Sequence, residues 1–297
     1  MVVLPFTHAD LNFPKASSGD VPIRASISGV QDKAELSQAD GGFEVVQSGG
    51  DYILKPIPSM PLPRFHDEVP LNEALTMKIA KEIFGIQTAE NEIVSFQDGE
   101  LAYMTKRFDK RNGVKIVQED FCQLSGRTAR SHGSAYKYDA SYEECGGIVR
   151  RYCAAKEEEL PKLFRRILFS YVISNGDAHL KNFSLYESER GDMVLTPAYD
   201  LVATSVHILT ESALALDLFA DGHFTKEYEN LGFYSSQDFL ELGRCFGIEE
   251  ERVRGEIELM RNGEAQVAEA VEASMLSTEM KIAYMTAFHE RLKAIGQ

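Results

Sequence analysis

The chain has 297 residues, 44% hydrophobic and 26% charged, enough for a well-buried core in one large domain or two packed lobes. A formal net charge of −15 repels phosphate backbones, so direct nucleic-acid binding is not expected, and a divalent cation or a basic partner fits better. No apolar run approaches the roughly 20 residues that cross a bilayer, and the start, "MVVLPFTHAD", lacks the basic and apolar regions of a signal peptide, so a cytoplasmic protein without membrane contact is expected.

In chain order, "FPKASSGDVP" (13–22) is Pro-rich and reads as an exposed loop. "FEVV" (Phe43–Val46) and "DYILK" (Asp51–Lys55) are β-prone runs separated by the turn signal "QSGG". A second Pro-rich loop, 56–70, leads into a helix in which Leu71, Leu75, Ile79 and Ile83 recur every four residues and Gly85 supplies the C-cap. "NEIVSFQDGELAYMTKRF" holds two β-prone runs around Asp98-Gly99, the strongest hairpin signal in the chain. Glu157–Ser174 places Leu160, Leu163, Phe164, Ile167, Leu168, Tyr171 and Val172 on one broad face of a core helix. A hairpin over Phe183–Thr196 turns at "SERGD", and the last sixty residues are helical, punctuated by Gly247, Gly255 and Gly263. The four cysteines form no C-x-x-C pair, so buried free thiols are expected rather than a zinc site.

The chemistry concentrates in "SNGDAHLKNFSLYESERGDMVLTPAYDL" (Ser174–Leu201). Asp177 and Asn182 stand five residues apart after a core helix, and Asp200 follows a hairpin later. Phosphoryl transfer to a hydroxyl needs one carboxylate to orient that hydroxyl and accept its proton, and oxygen donors to hold Mg²⁺. Protein kinases use the same Asp-to-Asn step followed by a metal-binding Asp. Asp177 is therefore the candidate base, and Asn182 and Asp200 the candidate metal ligands. Lys181 would neutralise the transferring phosphate and His179 would brace the loop. Taken alone, such residues more often make a turn than a site.

Upstream parts complete the pattern. Lys55 ends a β-prone run, where a lysine reaches the α- and β-phosphates of ATP. Glu73, eighteen residues on, is placed either to pair with Lys55 or to sit in the first helical turn on the positive end of the dipole. The backbone of Lys106 and Phe108 in the following connector is the candidate adenine contact. The expected phosphate loop, "RASISGVQDKAEL" (24–36), has a single glycine, and no Walker motif occurs anywhere.

The segments "SISGVQDK", "ILKP", "NEAL", "KRFDK", "QEDFCQLSG", "NGDAHLKNFS" and "TPAYDL", in this order over residues 24–205, resemble the HipA-family serine/threonine kinase toxins of bacterial toxin–antitoxin systems. The resemblance implies an α+β, two-lobed kinase fold, with an N-lobe over 1–108 and a helical C-lobe over 109–297. It implies ATP- and Mg²⁺-dependent phosphorylation of a protein serine, with Ser28, Gly29 and Val30 in the phosphate loop and Lys55 on ATP. It also implies an aminoacyl-tRNA synthetase as the target. Only 23 residues precede Arg24, which resembles the short HipT branch, whose partners are a separate small HipS-like antitoxin and a HipB-like DNA-binding protein. In that branch both serines equivalent to Ser26 and Ser28 can be autophosphorylated, and in longer members the first of the two is. Phosphate there would repel ATP, with Arg24 or Lys33 holding it elsewhere; as plain residues, both serines equally suit turn hydrogen bonds. Two further activities fit part of the pattern. A small-molecule phosphotransferase of the aminoglycoside or choline kinase type shares the GDxHxxN loop but usually has an acidic pocket, and a metal phosphoesterase would need ligand motifs that are missing.

Overall fold

The computed structural model describes residues 1–11, 13, 31–39 and 41–297. Ser26, Ser28, Gly29, Val30 and Arg24 lie outside these residues. An N-terminal sheet carries β1 (Val2–Val3), β2 (Ala34–Ala39), β3 (Gly42–Val46), β4 (Tyr52–Lys55), β5 (Asn91–Ser95) and β6 (Leu101–Lys106) in the order β1-β5-β6-β4-β2-β3. The expected β5–β6 hairpin forms, with Ser95 opposite Leu101 and Gly99 at φ 93° in the turn. β1 joins its edge in parallel, Val2 opposite Val94, and buries Leu4 against Val94, Phe96 and Met104.

Helix α1 (Val69–Glu82) packs on this sheet. It ends as its glycine requires: Gly85 takes φ 62°, and the Ile86 N–H returns to Ala80 O at 2.9 Å. Its buried side is wider and more polar than the leucine stripe predicts. Leu75 and Ile79 are buried, Leu71 and Ile83 only partly, and Asn72, Glu73 and Thr76 are fully enclosed. The reason is that α1 touches both halves of the molecule. Asn72 Nδ2 donates to Ala203 O (3.0 Å) and lies 2.8 Å from His207 Nε2, while Thr76 Oγ1 lies 3.0 Å from the Tyr284 hydroxyl.

Two short pairs follow: β7 (Lys110–Arg111) with β8 (Val114–Lys115), and β9 (Gln118–Asp120) with β10 (Ser184–Glu187). Then come α2 (Phe121–Ser125), α3 (Ala129–His132), α4 (Tyr142–Tyr152) and α5 (Lys156–Val172). α5 is the central core helix, and all seven apolar residues of its predicted face are buried. β10 also pairs with β11 (Met193–Leu195), the expected hairpin, closed by Ser188 N–H to Asp192 O at 2.8 Å. The chain ends in α6 (Lys226–Leu231), α7 (Ser236–Cys245), α8 (Glu250–Asn262), α9 (Glu264–Glu272) and α10 (Thr278–Ala294). Gly247 separates α7 from α8 at φ 68°, and Gly263 separates α8 from α9. Gly255 corrects the expectation of a break: it lies inside α8, because the flanking buried Val253, Glu256 and Ile257 hold the turn.

The four thiols are unpaired, and three are buried. Burial pushes all of them up, Cys122 to about 11 and Cys153 to about 12. Among the described residues no helix is long and apolar enough to cross a membrane.

Candidate active site

The end of α5 sets up the loop that follows it. Ser174, at φ 57°, does what a C-cap glycine does, and its hydroxyl accepts from Arg291 Nε of α10 at 3.3 Å. Gly176 is needed for space: a Cβ there would lie 2.3 Å from Ser212 O. The loop is then tied down along its backbone. Gly176 N–H donates to Thr204 Oγ1 (2.8 Å), Asp177 N–H to Asn175 Oδ1 (3.1 Å), and His179 N–H to Asn182 Oδ1 (3.0 Å). The buried Tyr142 hydroxyl holds Ala178 O at 2.9 Å. Asp177, His179 and Asn182 are all buried as a result.

β4 and α1 bring Lys55 and Glu73 to the same place. Lys55 Nζ lies 2.5 Å from Glu73 Oε1 and 2.7 Å from Asp200 Oδ1, so one ammonium bridges carboxylates from both halves of the molecule. Of the two sequence readings of Glu73, the geometry is that of the ion pair. Asp200 adopts left-handed backbone (φ 59°), a conformation Asp tolerates better than most residues, and its Oδ2 accepts from Asn182 Nδ2 at 2.8 Å. Burial alone would raise the Asp200 carboxyl and lower the Lys55 ammonium. Their mutual attraction outweighs it, holding Asp200 well below the usual carboxylate range and Lys55 above its ordinary value. Glu73 is pushed up, by burial first and Lys55 notwithstanding, with the Asp200 charge adding to the rise.

Lys55, Glu73, His179, Asn182 and Asp200 line a cleft of about 630 Å³; Asp177 is buried on the same loop and is not among the lining residues. Among the described residues its walls include six cationic side chains, Lys33, Lys55, Lys106, Arg107, Lys137 and Lys181, against four carboxylates, Glu73, Asp109, Asp120 and Asp200. In a chain of net charge −15 this cleft still carries two more cationic than anionic lining side chains, of which Lys55, Lys106 and Arg107 are ion-paired, a balance that suits an anionic ligand better than a cationic one. Lys181 Nζ is 4.0 Å from Asp120, and the Phe108 ring lies tilted against Tyr199 with centroids 5.6 Å apart. The Lys106 N–H is already committed to Glu90 O (2.8 Å), so that donor is not open to a base; its carbonyl and the Phe108 backbone are the atoms left for that role. The connector is stiffened by Arg107, which grips Asp109 with two nitrogens at 2.9 and 2.7 Å. The tail of the phosphate-loop motif also reaches the site, Gln31 Nε2 donating to Glu73 Oε2 at 3.4 Å.

His179 lines the cleft; among the described residues neither ring nitrogen has a hydrogen-bond partner, Nε2 lying 4.0 Å from Asp177 Oδ1, and burial drives the ring down to about 3, so it is neutral. Among the described residues no three His, Cys, Asp or Glu side chains form a metal cluster. The donor set is the adjacent Asp200 carboxylate and Asn182 amide, which is sparse. Sparse oxygen donors beside a phosphate pocket fit Mg²⁺, a cation that keeps several waters and takes phosphate oxygens as ligands. Two residues that sequence reasoning missed belong to the site. The Tyr138 hydroxyl donates to Asp177 Oδ1 at 2.5 Å, and the Lys137 ammonium is lowered by burial in the cleft wall.

A family model described as HipA-like C-terminal domain matches residues 25–273. A Haemophilus influenzae protein named "Putative kinase" is 33% identical over 245 residues, 75% of this chain and 67% of that protein. The serine/threonine-protein kinase toxin HipA of Shewanella oneidensis is 29% identical over 214 residues, 65% of this chain and 46% of the toxin. The chain therefore spans about two thirds of the first relative and less than half of the second. Among solved structures, a chain of the Shewanella oneidensis MR-1 complex of HipA, HipB and operator DNA superposes with a TM-score of 0.72 at 23% identity, covering 97% of this chain and 69% of that one. The Helicobacter pylori proinflammatory kinase CtkA superposes with a TM-score of 0.55 at 13% identity, covering 82% and 87%. The architecture is thus the two-lobed, α+β kinase fold, sheet lobe and helical lobe meeting at Lys55 and Asp200. With its family model spanning most of the sequence, the chain belongs to the HipA-like C-terminal domain family.

Proposed function

We propose that the chain is an ATP- and Mg²⁺-dependent serine/threonine-protein kinase that acts as the toxin of a toxin–antitoxin system, phosphorylating a serine of an aminoacyl-tRNA synthetase and so stalling translation. The observation that carries this reading is the Lys55 bridge between Glu73 and Asp200, with Asn182 on the second Asp200 oxygen and Asp177 on the same loop. Lys55 supplies the positive charge that balances Asp200. Lys55 would hold the α- and β-phosphates of ATP, with Glu73 keeping it in place. Asn182 and Asp200 would hold Mg²⁺, which neutralises charge building on the phosphates. Lys181 and Lys33 add cationic contacts along the cleft. Asp177 orients the acceptor hydroxyl and takes its proton as the oxygen attacks in line. Ser28, Gly29 and Val30 would cover the phosphates, with Ser26 and Ser28 as autophosphorylation sites, and HipS-like and HipB-like proteins as partners.

The test is incubation of the protein with γ-labelled ATP and a cell extract. Asp177→Asn is expected to keep ATP binding and to lose labelling of a tRNA synthetase, autophosphorylation and toxicity. Full labelling by that variant would overturn the assignment. The alternative, a phosphotransferase of the aminoglycoside or choline kinase type, takes a cationic substrate, and the cation-rich cleft speaks against it. Labelled small molecules with no labelled protein would favour it.

A further inference from the structure

The segment between α3 and α4 does more than wall the cleft. Its far end is fixed: Tyr142 and Glu143 N–H groups donate to Asp217 O (2.9 Å) and Leu218 O (3.0 Å), and the Tyr142 side chain is fully buried. From this anchor two phenols reach the loop that carries the base. Tyr142 holds the Ala178 carbonyl at 2.9 Å, and Tyr138 holds Oδ1 of Asp177 itself at 2.5 Å, the length of a charge-assisted O–H···O⁻ bond. The Tyr138 ring is steadied on two sides, edge-on to His179 at 5.1 Å and beneath Lys137 Nζ at 5.0 Å. A phenol so placed serves orientation, because an aspartate held by one oxygen can no longer swing about its terminal torsion.

Resting on the kinase reading, we propose that Tyr138 is a positioning residue for the transfer: its hydroxyl fixes the Asp177 carboxylate in the orientation that receives the acceptor's proton. The Tyr138 proton stays on the phenol throughout, and the acceptor's proton passes to Asp177 as the new O–P bond forms and the bond to ADP breaks. Nothing in this role touches nucleotide, so the effect belongs in kcat and not in the KM for ATP.

The experiment compares Tyr138→Phe, Tyr138→Ala and Asp177→Asn, singly and with Tyr138→Phe combined with Asp177→Asn. Transfer is measured on the extract protein that the parent enzyme labels. Expected is a kcat about tenfold lower in both Tyr138 variants, the loss of one charge-assisted hydrogen bond, with the KM for ATP within about twofold of the parent. Tyr138→Phe should add nothing to the residual transfer of Asp177→Asn, because the two act as a unit. Full activity in Tyr138→Phe with a deficit only in Tyr138→Ala would mean that the ring packs and the hydroxyl is idle, overturning the proposal. Activity above the parent would make the phenol an obstruction, and an additive loss would place its action elsewhere; either overturns it. Full transfer by Asp177→Asn would instead sink the kinase assignment, a separate failure.

Discussion

Replacing Lys55 by methionine keeps an unbranched side chain one atom shorter and removes the charge. In the folded protein that ammonium is 5% exposed and is shared by Glu73 at 2.5 Å and Asp200 at 2.7 Å. Methionine leaves two carboxylates facing each other in a place from which water is largely excluded. Removing one partner of a buried pair costs about 3–5 kcal/mol. With an unfolding entropy of about 2.1 cal/mol/K per residue, a chain of 297 residues loses about 1.6 °C for each kcal/mol, so the melting temperature should fall by about 5–8 °C. Differential scanning calorimetry in EDTA without nucleotide measures this apart from any effect on ATP. The control is the double variant Lys55→Met with Glu73→Gln. Removing the enclosed carboxylate should restore about 2 kcal/mol, or about 3 °C. A Lys55→Met protein melting within about 1 °C of the parent, or a double variant no better than the single, would refute the reasoning.

Other outcomes follow from particular contacts. His207 sits between Asn72 Nδ2 (2.8 Å) and Arg64 O (3.0 Å), an arrangement that suits a neutral ring with its proton on Nδ1, and burial lowers its pKa to about 4. Its folded pKa is below the unfolded value of about 6.5, so its contribution is present above that pH and is lost as pH falls toward about 4, by up to about 3 kcal/mol. Urea melts at pH 7, 6, 5 and 4 on the parent and on His207→Gln should show a shallower acid slope in the variant. Gly263→Ala would drive a Cβ to 2.5 Å from the Phe84 ring, and calorimetry should find a loss of about 1–3 kcal/mol. Gly255→Ala meets nothing within 4 Å on an exposed helical turn and should gain about 0.5–1 kcal/mol by the same measurement.

What could be read beforehand had a local cause. The β5–β6 and β10–β11 hairpins announce themselves through turn residues between alternating runs, and α5 through one continuous apolar face. The spacing of Asp177 to Asn182 was legible because both sit on one loop closed by its own backbone bonds. What escaped depends on distant chain. β1 is two residues long and finds its partner ninety-two positions away, Val2 to Val94, with no turn to reveal the pairing. Tyr138 lies in a polar stretch and meets Asp177 only because α4 is docked on residues 217 and 218. Asn72 and Thr76 lie beside the Leu71–Leu75–Ile79–Ile83 stripe of α1, and their burial depends on Ala203 and Tyr284, residues distant in the chain.

Four thiols that are all pushed up by their surroundings make a quiet chemical background. At neutral pH almost none of them is thiolate, the form that reacts with maleimides and oxidants. A single cysteine introduced at exposed Arg130, on α3 beside the cleft wall, would then be modified ahead of the native ones. A dye carried there would report whether this wall moves when ATP is added, with little signal from the rest of the molecule.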